Sequence, residues 1–117
     1  LKEEGIRTMD PAIVLLAHLF VRLGREAAFR EFETEAARIM RRYGGRIDRV
    51  IRPISSIGEG LLPYEIHVLS FPSLGRFEAY QEDQNLARLA SLRRSAIART
   101  EVTIGEEGEP YFEEIGI

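Results

Sequence analysis

The sequence predicts one α+β domain with the element order βαββαβ, and three observations carry that reading. Residues 12–22, AIVLLAHLFVR, are apolar on both sides of the strand alternation apart from His18 and Arg22. Continuous apolarity at strand length means that both faces are to be buried. A helical periodicity follows and is stopped by a glycine pair. Two more strand-like runs then flank a glycine-containing loop, ahead of a second helical region and a last alternating strand.

Residues 1–11 are charged and lack periodicity, so they read as a loosely held N-terminal arm. Strand one covers residues 12–22. Leu23-Gly24 opens a helix to about Tyr43, with Ala28, Phe29, Phe32, Ala36, Ile39, Met40 and Tyr43 on one stripe. Its other face is Arg and Glu, and Gly44-Gly45 supplies a left-handed stop. Residues 46–55 alternate as a strand, although Pro53 cannot donate to a ladder and so favours an edge or a bulge. Residues 55–62, with Gly58-Glu59-Gly60, form a hairpin-type loop before a third strand at 63–71. Pro72 ends that strand and Ser73 is placed to cap the second helical region. This region, 74–98, reads as broken in its middle. Phe77 and Tyr80 belong to the first piece, and Asp83 can cap the second. Residues 100–105 form the last strand, which closes a core domain of residues 12–105. The acidic tail, 106–117, holds Tyr111, Phe112, Ile115 and Ile117, and four such groups argue that it docks.

Composition excludes several classes. The chain has 117 residues, 44% hydrophobic and 30% charged, which suits one globular domain. Without cysteine there are no disulfides, thiolate zinc sites or cysteine nucleophiles. His18 and His67 are the only imidazoles. A net charge of -3 gives no general pull toward nucleic acid or an anionic membrane. Arg38, Arg41, Arg42, Arg46, Arg49 and Arg52 form a basic stretch, while the chain from Glu101 onward carries six acidic residues and no basic ones. The tail is therefore expected to pair with the basic stretch, of its own chain or of a partner. No apolar run approaches the roughly 20 residues that span a bilayer. Phe20-Val21-Arg22 stands where a signal peptide would need small residues. The expectation is a cytoplasmic chain with no membrane contact; its first residue is Leu1, which leaves its natural start open.

The order βαββαβ is the split βαβ arrangement of ferredoxin-like folds, with strands one and three central and the helices on one face. The other face of so apolar a strand then needs cover, and a second copy of the sheet would supply it as a homodimer. In residues 64–105, Phe71-Pro72-Ser73, then Tyr80, Asp83 and Arg93-Arg94-Ser95-Ala96, resemble the domain-of-unknown-function family numbered 1330. The resemblance runs through the whole core in order, with its motifs in the second half. It departs at Gln84, where a proline commonly follows the aspartate, and by extra residues at both ends. It implies a dimeric α+β barrel, in which two ferredoxin-like sheets pair. Dimeric barrels include cofactor-free monooxygenases, haem-degrading enzymes, muconolactone isomerases and chlorite dismutase relatives, so the fold implies no single chemistry.

The candidate site follows from alternation. On strand one, Ile13, Leu15, Ala17, Leu19 and Val21 suit the face beneath the helices, opposite Val14, Leu16, His18, Phe20 and Arg22. On strand three, Glu65, His67, Leu69 and Phe71 alternate with Tyr64, Ile66, Val68 and Ser70. The polar-bearing sets are expected to face the dimer interior, where His18, Glu65 and His67 would meet in one pocket. A histidine beside a carboxylate serves as a general base near neutral pH. The same groups also suit hydrogen bonding across a wet dimer interface. As ligands they would be a two-histidine, one-carboxylate set, but alternation alone does not establish one, and neither a metal nor another cofactor is expected. Arg93, the arginine of the resemblance, would hold the carboxylate or enolate of a small acid, or else pair with Asp83 or Glu82 at the helix break. The candidates are thus His18, His67 and Arg93 as catalytic groups, with Tyr80, Glu65 and Phe20 binding substrate. Nucleic acid is not expected, since PYEIHVLSF lacks the aromatic pattern of ferredoxin-like RNA readers. Two functions remain open. One is a cofactor-free enzyme acting on a small organic acid or aromatic compound in a pocket beside the sheet. The other is a non-catalytic small-ligand-binding or interaction dimer.

Overall fold

The computed structural model describes residues 11–111; nearly all of the expected arm, and the tail from 112 to 117, lie outside the described residues. The elements are β1 (Ile13–Val21), α1 (Glu26–Arg41), β2 (Arg46–Ile51), β3 (Glu65–Phe71), α2 (Leu74–Gln81), α3 (Gln84–Arg88), α4 (Ala90–Ala96) and β4 (Ile97–Gly105). The strands form one antiparallel sheet in the order β2-β3-β1-β4, so β1 and β3 are central, as in ferredoxin-like folds. The helices pack on one face of the sheet.

Local chemistry accounts for most boundaries. α1 buries Phe29, Phe32, Ala36, Ile39 and Met40, the expected stripe. Gly44 takes the left-handed turn after it, with φ +77°. Gly45 is needed for space instead, because a Cβ there would run into Met40 and the Phe71 ring. β2 is shorter than its alternation suggested and ends at Ile51, just before Arg52-Pro53. It is an edge strand, with a register shift between Ile47 and Arg49. Ser73 caps α2 by accepting from the Arg76 amide at 3.1 Å. Asp83 caps α3, accepting from the amides of Asn85 and Leu86 at 2.7 and 3.1 Å. A second break falls at Leu89, so the region forms three short helices where the sequence suggested two. β4 starts earlier than expected because its pairing with β1 continues to Val21.

The core is in two parts. Leu19, Phe29, Phe32, Ala36, Ala96 and Ile97 form one cluster, and Ile13, Leu15, Met40, Phe71 and Phe77 form the other. Each large apolar side chain so buried contributes roughly 1.5–3 kcal/mol. On β1 the two clusters are separated by Ala17, which is buried but belongs to neither.

The described part of the tail, 106–111, has no regular structure, and Tyr111 is fully exposed. Arg38, Arg42, Arg46 and Arg52 lie within 4 Å of Glu35, Asp83, Asp48 and Glu65, acids adjacent in sequence or in the fold. The expected pairing of the tail with the basic stretch falls largely outside the described residues.

Candidate functional site

Strand register sets the site. His67 stands opposite Ala17, and Glu65 opposite Leu19. Directly opposed residues share a face, so Glu65 and His67 lie with Ala17 and Leu19 beneath the helices. His18 stands between Ile66 and Glu101, on the uncovered face. The expectation of His18, Glu65 and His67 in one pocket facing a partner is therefore corrected. It assumed that polar sets turn to the wetter side, whereas here both polar groups find partners under the helices.

His67 is only 3% exposed and Glu65 7%. His67 Nε2 lies 2.8 Å from Glu65 Oε1, and Glu65 Oε2 accepts from Arg52 Nε at 2.9 Å. A carboxylate only accepts, so Nε2 carries the proton in this contact. Nδ1 lies 3.6 Å from Oε1 of Glu33, on α1. Burial pushes the Glu33 carboxyl above the ordinary range; the Glu65 charge adds to this, while His67 and Arg93 oppose it. Two acids thus face one imidazole in different settings, one buried and tied to Arg52 and the other half-buried on α1.

Sequence reasoning missed Glu33. The signal was its spacing, four residues after Phe29 and three before Ala36, which puts a carboxyl on the apolar stripe. Glu31 and Glu35, on either side of it, obscured that position.

Glu33 and His67 border a cavity of about 320 Å³ between helices and sheet. Ala17, Phe32, Met40, Leu69 and Phe77 supply apolar wall, and Tyr80, Arg93 and Thr100 supply further polar groups. The volume survives because Ala17, Ala36, Ala87 and Ala90 stand on its lining where larger side chains would fill it. The volume lies at the low end of the range of small-molecule sites. Arg93 Nη2 donates to Thr100 Oγ1 at 2.7 Å. Its expected pairing with Asp83 is not made. Asp83 accepts from the Tyr43 hydroxyl at 2.6 Å and lies 3.6 Å from Arg42. Burial, helped by the Glu33 charge, pushes the Tyr80 hydroxyl well above its ordinary range, so it stays a neutral donor.

Of the candidates read from sequence, His67, Tyr80 and Arg93 border the cavity, and Glu65 stands behind His67. His18 and Phe20 do not. The Phe20 ring lies 4.2 Å under the Arg99 guanidinium on the other side of the sheet. With His18 there, the two-histidine, one-carboxylate set is not assembled. Among the described residues no three His, Asp or Glu side chains are arranged to hold a metal ion.

Neither a family model nor a curated protein sequence matches this chain. Solved structures do. A protein of unknown function from Rhodopseudomonas palustris, RPA0582, superposes with a TM-score of 0.77 at 15% identity, over 93% of each chain. SnoaB, a cofactor-independent oxygenase from Streptomyces nogalater, gives 0.63 at 12% identity, over 88% of this chain and 99% of its own. A DABB-family protein with a ferredoxin-like fold from Mesorhizobium loti gives 0.62 at 11%, over 84% and 98%. The ferredoxin-like fold named for the last of these is the fold found here, and at such identities the likeness shows the fold alone. The narrower resemblance to the family numbered 1330 gains no support from them.

Proposed function

We propose that the chain is a small-molecule enzyme of the proton-transfer type, with Glu33 and His67 as its acid–base couple. The observation that carries this reading is an imidazole with a carboxyl group facing each ring nitrogen, on the wall of a largely apolar cavity. Glu33 is the more accessible, with 20% of its side chain exposed against 4% for His67. Glu33 therefore meets the substrate. His67, oriented by Glu65 and Arg52, backs it and exchanges the proton. Tyr80 donates to a developing oxyanion, and Arg93 orients the substrate from the solvent side. The reading needs no redox group held by the protein, which is compatible with a structural neighbour described as a cofactor-independent oxygenase.

The test follows C–H exchange into deuterated water by NMR, over a panel of enolisable small ketones and keto acids. The wild-type chain is expected to catalyse exchange for at least one of them. Glu33→Gln should slow it by about 10²-fold or more, the usual loss when a positioned acid–base group is removed. Exchange that survives the substitution, or none with any compound, counts against the proposal. A non-catalytic ligand-binding protein is the second reading, favoured by the near-complete burial of His67. It expects ligand binding that Glu33→Gln leaves intact.

For assembly we propose a homodimer through the uncovered sheet face. Val14, Leu16, Phe20, Ile51, Ile66 and Val68 share that face by register and leave it largely apolar at its centre. The tail, 106–117, is proposed to dock on the partner, since Tyr111 is fully exposed among the described residues.

A further inference from the structure

Arg93 differs from the other arginines near acids. Arg38, Arg42, Arg46, Arg52 and Arg99 each lie within 4 Å of a carboxylate. Among the described residues, Arg93 has none at that distance. Its hydrogen bond goes to a neutral hydroxyl, from Nη2 to Thr100 Oγ1, and this ties α4 to β4 across the edge of the cavity. A guanidinium has five donors in a planar fork, so most of them remain for a ligand. The group is exposed and also borders the cavity, which places the charge at the mouth and not in the wall behind it.

The other charges close the account. Glu65 is offset by Arg52. Glu33, the remaining acid on the cavity, is faced by His67 and Glu65 from β3, Arg93 from α4 and Tyr80 from α2. A dianion would bring its second charge against Glu33, and a cation would meet Arg93 first. One negative charge at the mouth, with an apolar body inside, meets neither obstacle.

We propose that the cavity takes a small monocarboxylate with an apolar body, its carboxylate bidentate on Arg93 and its body against Phe32, Leu69 and Phe77. This rests on the reading of the cavity as the ligand site, and it adds the class of ligand. Thr100 is a positioning residue, holding the guanidinium over the opening. A fork bound to a carboxylate adds direction as well as charge, so the ligand's end distant from the carboxylate is presented to Glu33.

The test uses size-matched acid and amide probes, phenylacetate with phenylacetamide and isovalerate with isovaleramide, titrated by calorimetry into the full chain. At least one acid is expected to bind about 10-fold tighter than its amide, the difference between a charge-assisted and a neutral hydrogen-bonded contact. Arg93→Gln should remove the preference by weakening the acid more than the amide, and Arg93→Lys should restore part of it. Equal binding of acid and amide overturns the monocarboxylate class and leaves the cavity as the ligand site. A preference that persists in Arg93→Gln overturns the role of Arg93. Binding of neither member of either pair overturns both the class and the reading beneath it.

Discussion

Glu33 and Glu65 face the same imidazole, yet they are held differently. Glu65 shares its charge with Arg52, whereas burial weights Glu33 toward its neutral form. A carboxyl whose folded value lies above its ordinary 4.5 binds its proton more tightly in the folded chain than in the unfolded one. Its contribution to stability is complete below that value and is lost as pH rises through the raised folded value. Glu33→Gln removes this loss. The variant is expected to melt higher than wild type at about pH 8, with the gap closing toward about pH 4. Thermal scans across that range check it, and a gap that does not change with pH would mean that burial is not what perturbs Glu33. A gain in stability at the cost of activity is what a strained functional group predicts. His67, by contrast, is held on both sides. His67→Ala leaves Glu65 buried without its second partner, and is expected to cost about 1–3 kcal/mol in chemical denaturation.

At the scale of elements, the cavity exists because the second helical region is broken into pieces of eight, five and seven residues. Helices so short do not sustain themselves in water and depend on caps and packing. Asp83 caps α3, and its carboxylate anchors the break to Tyr43 and Arg42 on the α1 side. The Tyr43 hydrogen bond chiefly holds the Asp83 carboxyl below its ordinary range, so this anchor is present above that range and is lost as pH falls through the lowered value. Asp83→Ala is expected to lower the melting temperature and to speed amide hydrogen exchange in α3 ahead of the rest. Asp83→Asn keeps a good capping group and should fall between Asp83→Ala and wild type. Exchange that rises evenly across the fold would rule out Asp83 as a local anchor. The glycines separate in the same way. Gly45→Ala drives a methyl into Met40 and Phe71 and is expected to cost about 1–3 kcal/mol, as overpacking does. Gly24→Ala meets nothing and bears only the left-handed penalty, about 1–2 kcal/mol. Denaturant titration of both variants compares strain from space with strain from φ.

Among the described residues, the sheet is covered by helices on one side only. Leu16 and Ile51, at 36% and 38% exposure, lie on the uncovered side with Val14, Ile66 and Val68. Among the described residues no helix is long and apolar enough to cross a membrane. Under the dimer proposal, Leu16→Arg puts a charge at the centre of the seam and is expected to give monomers in analytical ultracentrifugation. Deleting residues 106–117 is expected to weaken the dimer without dissolving it. A Leu16→Arg chain that sediments as wild type does would place the seam elsewhere.

The fold was legible in the sequence because its elements depend on neighbours along the chain. Apolar spacing from Phe29 to Met40, the glycine stop at Gly44, the cap at Asp83 and the alternation in β3 are all local patterns. Even the central place of β1 and β3 follows from the order of elements. Which face each polar residue takes is different, since it depends on how β1 and β3 align. With Ala17 opposite His67 and not His18, Glu65 and His67 turn under the helices, because a strand's side chains change face at each residue. That alignment brings Glu33 to His67 and separates His18 from both. The empty volume beside them is likewise a property of α1, the three short helices and the sheet together. Ala17, Ala36 and Ala87 read singly as small core residues, and only their convergence leaves room for a ligand.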